Sequence, residues 1–275
     1  MYQNKIGICE WSLPEPLRGP ACCRVLHDFG LQGVELELRT AEEHFPLANP
    51  YVISLYLEEK ARWNVAFTGV AANLTNFFPM TAPESDPKRQ IAEAGVKKVI
   101  DAAAALGAPL IHAPSFNDSL IETAADLANT AHFMQKMCDY AADRNILVCT
   151  ENCLDTARHP ELLARVDRKN FKVYFDAQNY DAMAHLYTPE LIDPIAEQIV
   201  EIHLKDGFDQ LSSHRIGEGR CAVFQTMERL LANGYQGWFM LENYYSQSPL
   251  CGEDGDFCTP LREDIAIVQR WLETH

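Results

Sequence analysis

The chain has 275 residues, 47% apolar and 23% charged, and its 23 basic against 39 acidic side chains give a formal net charge of −16. That length suits one large domain or two small ones, and the composition is that of a globular chain rather than a disordered one. The acidic balance repels phosphate backbones and speaks against general nucleic-acid binding.

The start, Met1-Tyr2-Gln3-Asn4-Lys5, leads into only a short apolar run, so no signal peptide is read there. No uncharged apolar run approaches the about 18 residues of a spanning helix. A cytoplasmic protein with reduced thiols and no membrane partner is the expectation. The nine cysteines include the adjacent pair Cys22-Cys23 but no C-x-x-C spacing. Cys149 and Cys153 alone do not make a zinc site, and the cysteines read as small buried hydrophobes.

The first β-rich run is Ile6-Gly7-Ile8-Cys9, followed by Glu10-Trp11-Ser12-Leu13-Pro14 with no glycine-rich turn. The second is Gly33-Val34-Glu35-Leu36-Glu37-Leu38 and the third Val65-Ala66-Phe67-Thr68-Gly69-Val70. Val96, Val99, Ile100 and Ala103 then recur with helical period, and Gly107 stands where a C′ glycine belongs. Leu110-Ile111-His112-Ala113 is the fourth run. A helical stripe follows in Ala124, Leu127, Ala131, Met134, Cys138 and Ala141, with Ser119 as the expected N-cap. Ile146-Leu147-Val148-Cys149-Thr150, Val173-Tyr174-Phe175 and Ile199-Val200-Glu201-Ile202-His203-Leu204 are the fifth to seventh runs. A stripe of Phe224, Met227, Leu230 and Leu231 stops at Asn233-Gly234, and Trp238-Phe239-Met240-Leu241 is the eighth run. The last helix is expected to open at Thr259, with Pro260 at its first position and a stripe of Leu261, Ile265, Val268 and Leu272.

Mostly continuous apolar runs suit strands buried on both faces, and eight of them alternating with helices predict an α/β fold, a (β/α)8 TIM barrel forming a single domain over 1–275. An open doubly wound sheet is the rival and prefers fewer strands with a glycine-rich first turn. In a barrel the chemistry sits at the C-terminal ends of the strands. The last four strands deliver Glu151, Asp176, His203 and Glu242 to that rim, about one repeat apart. Three carboxylates and one imidazole suit Mn2+, Mg2+ or Co2+ better than structural Zn2+, and a cation relieves their mutual repulsion. Taken singly, each could be a loop salt bridge or a cap; four at successive strand ends point to a metal site.

The sequence resembles the sugar phosphate isomerase/epimerase superfamily, the xylose isomerase-like barrels. The segments that carry the likeness are Gly33-Val34-Glu35-Leu36, Val148-Cys149-Thr150-Glu151-Asn152, Phe175-Asp176, Ile202-His203-Leu204-Lys205-Asp206, Gly217-Glu218-Gly219 before Phe224, and the run from Gly234 to Glu242. The resemblance implies Glu151, Asp176, His203 and Glu242 as ligands of one divalent cation, Mn2+ first, with Mg2+, Co2+ or Zn2+ as alternatives. It also implies Glu151 and Glu242 as the acid/base pair. One would take the proton beside a carbonyl, a metal-held cis-enediolate would form, and the other would return a proton to the opposite face or the neighbouring carbon. Asn179 and Arg158 depart from the ketose 3-epimerase pattern, and Asn179 with the His203-Lys205-Asp206 segment looks more like the pentulose-phosphate epimerase branch.

Lys205, two residues past His203, should point inward at the rim and hold a substrate oxygen or phosphate; a salt bridge with Asp206 or Glu201 is the competing reading. Arg215, by the resemblance, contacts substrate oxygens, and Asn179 and His112 are further substrate-binding candidates. His214 is read as solvated, and Trp11 and Phe78 as packing residues that could wall the pocket. The loop 244–258, with Pro249, Gly252, Gly255 and the acids Glu253, Asp254 and Asp256, reads as solvated, with a lid or oligomer contact as alternatives. The expected function is a metal-dependent isomerase or epimerase of a ketose or ketose phosphate, compatible with a homo-oligomer. The alternatives are a lyase on the same site, of the inosose dehydratase or C-glycoside-cleaving kind, and, remotely, an endonuclease IV-like nuclease.

Overall fold

Strands β1 (Lys5–Cys9), β2 (Gly33–Glu37), β3 (Ala66–Ala71), β4 (Leu110–Pro114), β5 (Leu147–Glu151), β6 (Phe171–Asp176), β7 (Ile199–Leu204) and β8 (Trp238–Leu241) follow one another around a closed parallel barrel. The computed structural model describes residues 5–39, 45–253 and 255–275. Met1 to Asn4, read above for a signal peptide, and Asp254 of the acidic loop lie outside them. A helix follows every strand: α1 (Cys22–Phe29), α2 (Pro50–Trp63), α3 (Pro87–Leu106), α4 (Ala124–Ala141), α5 (Arg158–Val166), α6 (Asn179–Ala184), α7 (Val223–Ala232) and α8 (Cys258–Thr274). The expected (β/α)8 TIM barrel is therefore the architecture. The strand ends shift by a residue or two, and β5 and β6 run on to include Glu151 and Asp176 themselves.

The chain forms two compact units. One comprises Met1–Glu35, Glu59–Ala66 and Phe175–His275; the other comprises Leu36–Glu58 and Phe67–Tyr174. In the first, β1 lies between β2 and β8, with Gly7 in register with both Gly33 and Met240. A Cβ on Gly7 would lie 2.5 Å from Met240 Sδ and 2.8 Å from Gly33 O, so only glycine lets that methionine fill the space beside β1. In the second, β3, β4 and β5 pair in order, with Ala71 beside His112 and Pro114 beside Glu151.

The helices bury the faces their periodicity marks. Val96, Val99, Ile100 and Ala103 of α3 are fully buried, and Gly107 ends the helix in the left-handed conformation at φ +67°. In α4 the stripe is buried from Leu127 to Ala141, while Ala124 is exposed in the first turn. The cap of α4 differs from the expectation. Thr123 caps it in a box with Asp126, and Ser119 instead donates to Thr75 O and accepts from Met80 N, tying two loops together. Thr259 does not cap α8, which begins at Cys258; Asp256 accepts the Cys258 and Thr259 N–H groups. A carboxylate two residues before the helix meets these donors better than a hydroxyl already inside the first turn.

The described residues, which include all nine cysteines, contain no disulfide; six cysteines are buried, while Cys153, Cys251 and Cys258 are half-buried. Among the described residues no helix is long and apolar enough to cross a membrane.

Candidate metal centre and acid–base site

Three of the expected ligands belong to the unit that carries β7 and β8. Asp176 ends β6, His203 lies on β7, and Glu242 follows β8. The Glu242 N–H donates to Leu204 O at 2.9 Å, which extends the β7–β8 ladder past the strand end and fixes where the carboxylate starts. Asp176, His203 and Glu242 are all buried, and each presents one ligand atom within 4.8 Å of the others.

The neighbours of these groups set their orientation. Asp176 Oδ1 accepts the backbone N–H groups of Gln178 (2.7 Å) and Asn179 (2.6 Å) at the start of α6. That fixes the carboxylate plane and turns Oδ2 toward Lys205 Nζ, 2.9 Å away, and His203 Nδ1, 3.8 Å away. Glu242 Oε1 accepts from Trp11 Nε1 at 2.9 Å, and Oε2 receives the Lys205 ammonium and lies 3.3 Å from His203 Nδ1. The Trp11 ring meets the His203 ring edge-on, 5.8 Å between centroids and 86° between planes. Lys205 points inward, as the two-residue spacing from His203 requires, and its ammonium contacts Asp176 and Glu242. A buried ammonium between two buried carboxylates offsets part of their repulsion.

Two residues on this side exceed what the sequence reading assigned. Glu35, on β2, is fully buried, and its Oε2 lies 2.9 Å from His203 Nε2. The Cys9 thiol donates to the same oxygen at 3.8 Å, and burial pushes that thiol's pKa well up, so it remains a donor. A carboxylate between the apolar strand residues Val34 and Leu36 was the available signal for Glu35. Trp11, read as packing and half-buried, holds a proposed catalytic carboxylate; its indole N–H, which seeks an acceptor, was the signal.

Glu151 belongs to the other unit, where it ends β5 and is buried. Its Oε2 lies 2.7 Å from His112 Nε2, and the His112 ring lies over Tyr174 with centroids 4.6 Å apart. The β4–β5 register aligns His112 with Cys149 and Pro114 with Glu151, which places both side chains on one face of the sheet. His112 therefore meets the Glu151 carboxylate across the β4–β5 pair.

Asn179 opens α6 and is buried beside Asp176. The Arg215 guanidinium contacts Glu218 and Glu263, and these two carboxylates hold its pKa above the ordinary range. It lines a cleft of about 390 Å3 with His214, Leu250 and Cys251. His214 is half-buried, its ring against Phe208 at 4.6 Å and its Nδ1 bonded to Ser213 Oγ. The same loop is anchored by Asp206, whose carboxylate accepts the N–H groups of Gly207, Gly217, Gly219 and Cys221. Phe78 is half-buried. In the loop 244–258, Tyr245 is fully buried and donates to Asp264 at 2.8 Å.

The donor set fits a divalent cation. Two carboxylates and an imidazole nitrogen form an oxygen-rich group of hard and borderline donors. Its imidazole presents Nδ1 to the carboxylates, while Nε2 faces Glu35.

Residues 23–275 match a family model described as the xylose isomerase-like TIM barrel. A 2-epi-5-epi-valiolone 7-phosphate 2-epimerase from Actinoplanes sp. is 27% identical over 230 residues, 82% of this chain and 82% of that protein. Among solved structures, the D-psicose 3-epimerase from Clostridium cellulolyticum H10 with D-tagatose superposes with a TM-score of 0.75 at 15% identity, covering 98% of this chain and 99% of that one. A xylose isomerase-like TIM barrel protein from Mycobacterium smegmatis in complex with magnesium gives a TM-score of 0.71 at 15% identity, over 100% of this chain and 99% of that one. At 15% identity these two likenesses establish the fold.

Proposed function

Because the chain belongs to the xylose isomerase-like TIM barrel family, we propose that it is a divalent-metal-dependent epimerase or isomerase of a ketose or ketose phosphate. The reading is carried by the buried convergence of Asp176, His203 and Glu242 at the ends of three successive strands. Glu151, at the matching end of β5, completes the ligand set in this reading. That distant relatives are sugar epimerases supports the reaction class.

A bound cation, Mn2+ first in this reading and Mg2+, Co2+ or Zn2+ as alternatives, would polarise a substrate carbonyl and its neighbouring hydroxyl. The chain's own residues do the rest. Glu151 and Glu242 are the acid/base pair: one removes the proton on the carbon beside the carbonyl, and the other returns a proton to the opposite face of the enediolate. Return to the same carbon epimerises it; return to the neighbouring carbon isomerises ketose to aldose. Glu242 Oε1 accepts the Trp11 N–H, and its second lone pair is left to take a proton in this scheme. His112 fixes the Glu151 carboxylate. Lys205, Asn179 and His112 are the polar groups assigned to substrate oxygens, with the Lys205 ammonium also stabilising negative charge that develops during proton removal. Arg215, drawn to Glu218 and Glu263, is assigned to the order of its loop.

The test is solvent-deuterium exchange, followed by NMR, across ketoses and ketose phosphates with added Mn2+. The unaltered protein should label the carbon next to the carbonyl of at least one substrate. Glu151→Gln and Glu242→Gln should each lower that exchange by about 100-fold or more while far-UV circular dichroism stays unchanged. Exchange retained in both variants would refute the acid/base assignment, and loss of water from the substrate would redirect the reading to a lyase.

A further inference from the structure

We infer that Glu35 is a positioning residue that fixes the tautomer of His203, with Cys9 in turn orienting Glu35; the inference rests on the metal reading above. His203 and Glu35 are both fully buried, and His203 Nε2 lies 2.9 Å from Glu35 Oε2. At this distance the pair shares one hydrogen, and we assign the imidazole nitrogen as its donor and the carboxylate oxygen as its acceptor. Nε2 therefore carries the hydrogen, and in the neutral ring the lone pair stands on Nδ1. Nδ1 is the nitrogen that faces Asp176 Oδ2 at 3.8 Å and Glu242 Oε2 at 3.3 Å. The opposite tautomer would direct an N–H into the ligand cluster and leave two acceptors, Nε2 and Glu35 Oε2, 2.9 Å apart.

The Cys9 thiol contributes the next contact, donating to Glu35 Oε2 at 3.8 Å from the adjacent strand β1. Cys9 and Glu35 are register partners, so the β1–β2 ladder itself sets this pair. Cys9 and His203 thus converge as two donors on Glu35 Oε2, and the imidazole held there turns Nδ1 toward the carboxylate cluster. Outer hydrogen bonds of this kind hold a ligating ring in place and raise its basicity.

The tautomer is read on the unaltered, metal-free protein by long-range proton–nitrogen NMR with 15N-labelled histidine, and the His203 signals are identified by their loss in His203→Gln. The expected pattern is hydrogen on Nε2; hydrogen on Nδ1 overturns the inference. Mn2+ affinity is then measured by titration calorimetry. Glu35→Leu should bind Mn2+ about 10- to 100-fold more weakly than the unaltered protein. Glu35→Gln, whose amide oxygen still accepts from Nε2, should fall between them. Equal affinity in all three overturns the inference while leaving the metal reading in place. No Mn2+ binding by the unaltered protein overturns the metal reading, and the role of Glu35 with it. The NMR measurement needs no Glu35 variant, so a folding failure of Glu35→Leu does not remove the test.

Discussion

Asp264 is a fully buried carboxyl on α8, and its titration should be visible in the stability of the whole chain. Its oxygens accept from Ile216 N at 2.9 Å, Asn243 Nδ2 at 2.8 Å and Tyr245 OH at 2.8 Å. Burial pushes its pKa from 3.8 to about 6, outweighing the three donors that pull it down. A carboxyl whose folded pKa lies above its unfolded value holds its proton more tightly when folded. Its contribution is therefore complete below the unfolded pKa and is lost as pH rises through the folded one. The difference between the two states corresponds to ~3 kcal/mol over the full range, of which ~1.4 kcal/mol falls between pH 5 and 7.5. The assay is urea unfolding of the unaltered chain and Asp264→Asn at both pH values, because the difference between the two proteins cancels the other titrating groups. The amide that replaces the carboxyl loses one acceptor, a cost that does not change with pH. The stability advantage of the unaltered chain over Asp264→Asn should thus shrink by ~1.4 kcal/mol from pH 5 to 7.5. A difference that stays constant, or grows with pH, would show that the three donors keep Asp264 ionised and refute the reasoning.

Trp11→Phe removes the indole N–H from Glu242 Oε1 but keeps a ring beside His203. A hydrogen bond to a charged group contributes about 1.5–3 kcal/mol, so kcat for substrate exchange should fall about 10- to 100-fold with KM little changed; an unchanged kcat would remove Trp11 from the positioning of Glu242. Gly219→Ala places a Cβ 2.1 Å from Asp206 Oδ1 and 2.4 Å from Gly207 N, and backbone cannot yield there as a flexible side chain would. Urea unfolding should show a loss of about 1–3 kcal/mol, and an undiminished midpoint would mean that the 212–219 loop has room the structure does not show.

The register of the sequence pattern explains which parts of the site were legible. Glu151, Asp176, His203 and Glu242 stand out because a polar residue at the end of an apolar run is visible without knowing any partner. The inward direction of Lys205 was legible because strand alternation is local. Its contacts with Asp176 and Glu242 were not, since those residues stand at the ends of neighbouring strands far away in the sequence. Arg215 shows the same limit: Glu263 comes from α8 and could not be inferred from the loop alone. Ser119 and Thr259 were the right residue types for caps, but the competing donors and acceptors of Thr75, Met80 and Asp256 decided otherwise.

What the amino-acid order determined by itself was the alternation of buried strands and amphipathic helices, and hence the barrel and the strand ends at which the acids stand. Those features follow from periodicity and burial, which are properties of short segments. Only the tertiary structure decided that Trp11 and Lys205 hold Glu242, that His112 holds Glu151, and that Glu35 stands behind His203. Each of those pairs joins different strands or the loops that follow them. Whether two buried groups share a hydrogen bond is fixed by their distance and angle in space, not by their separation along the chain.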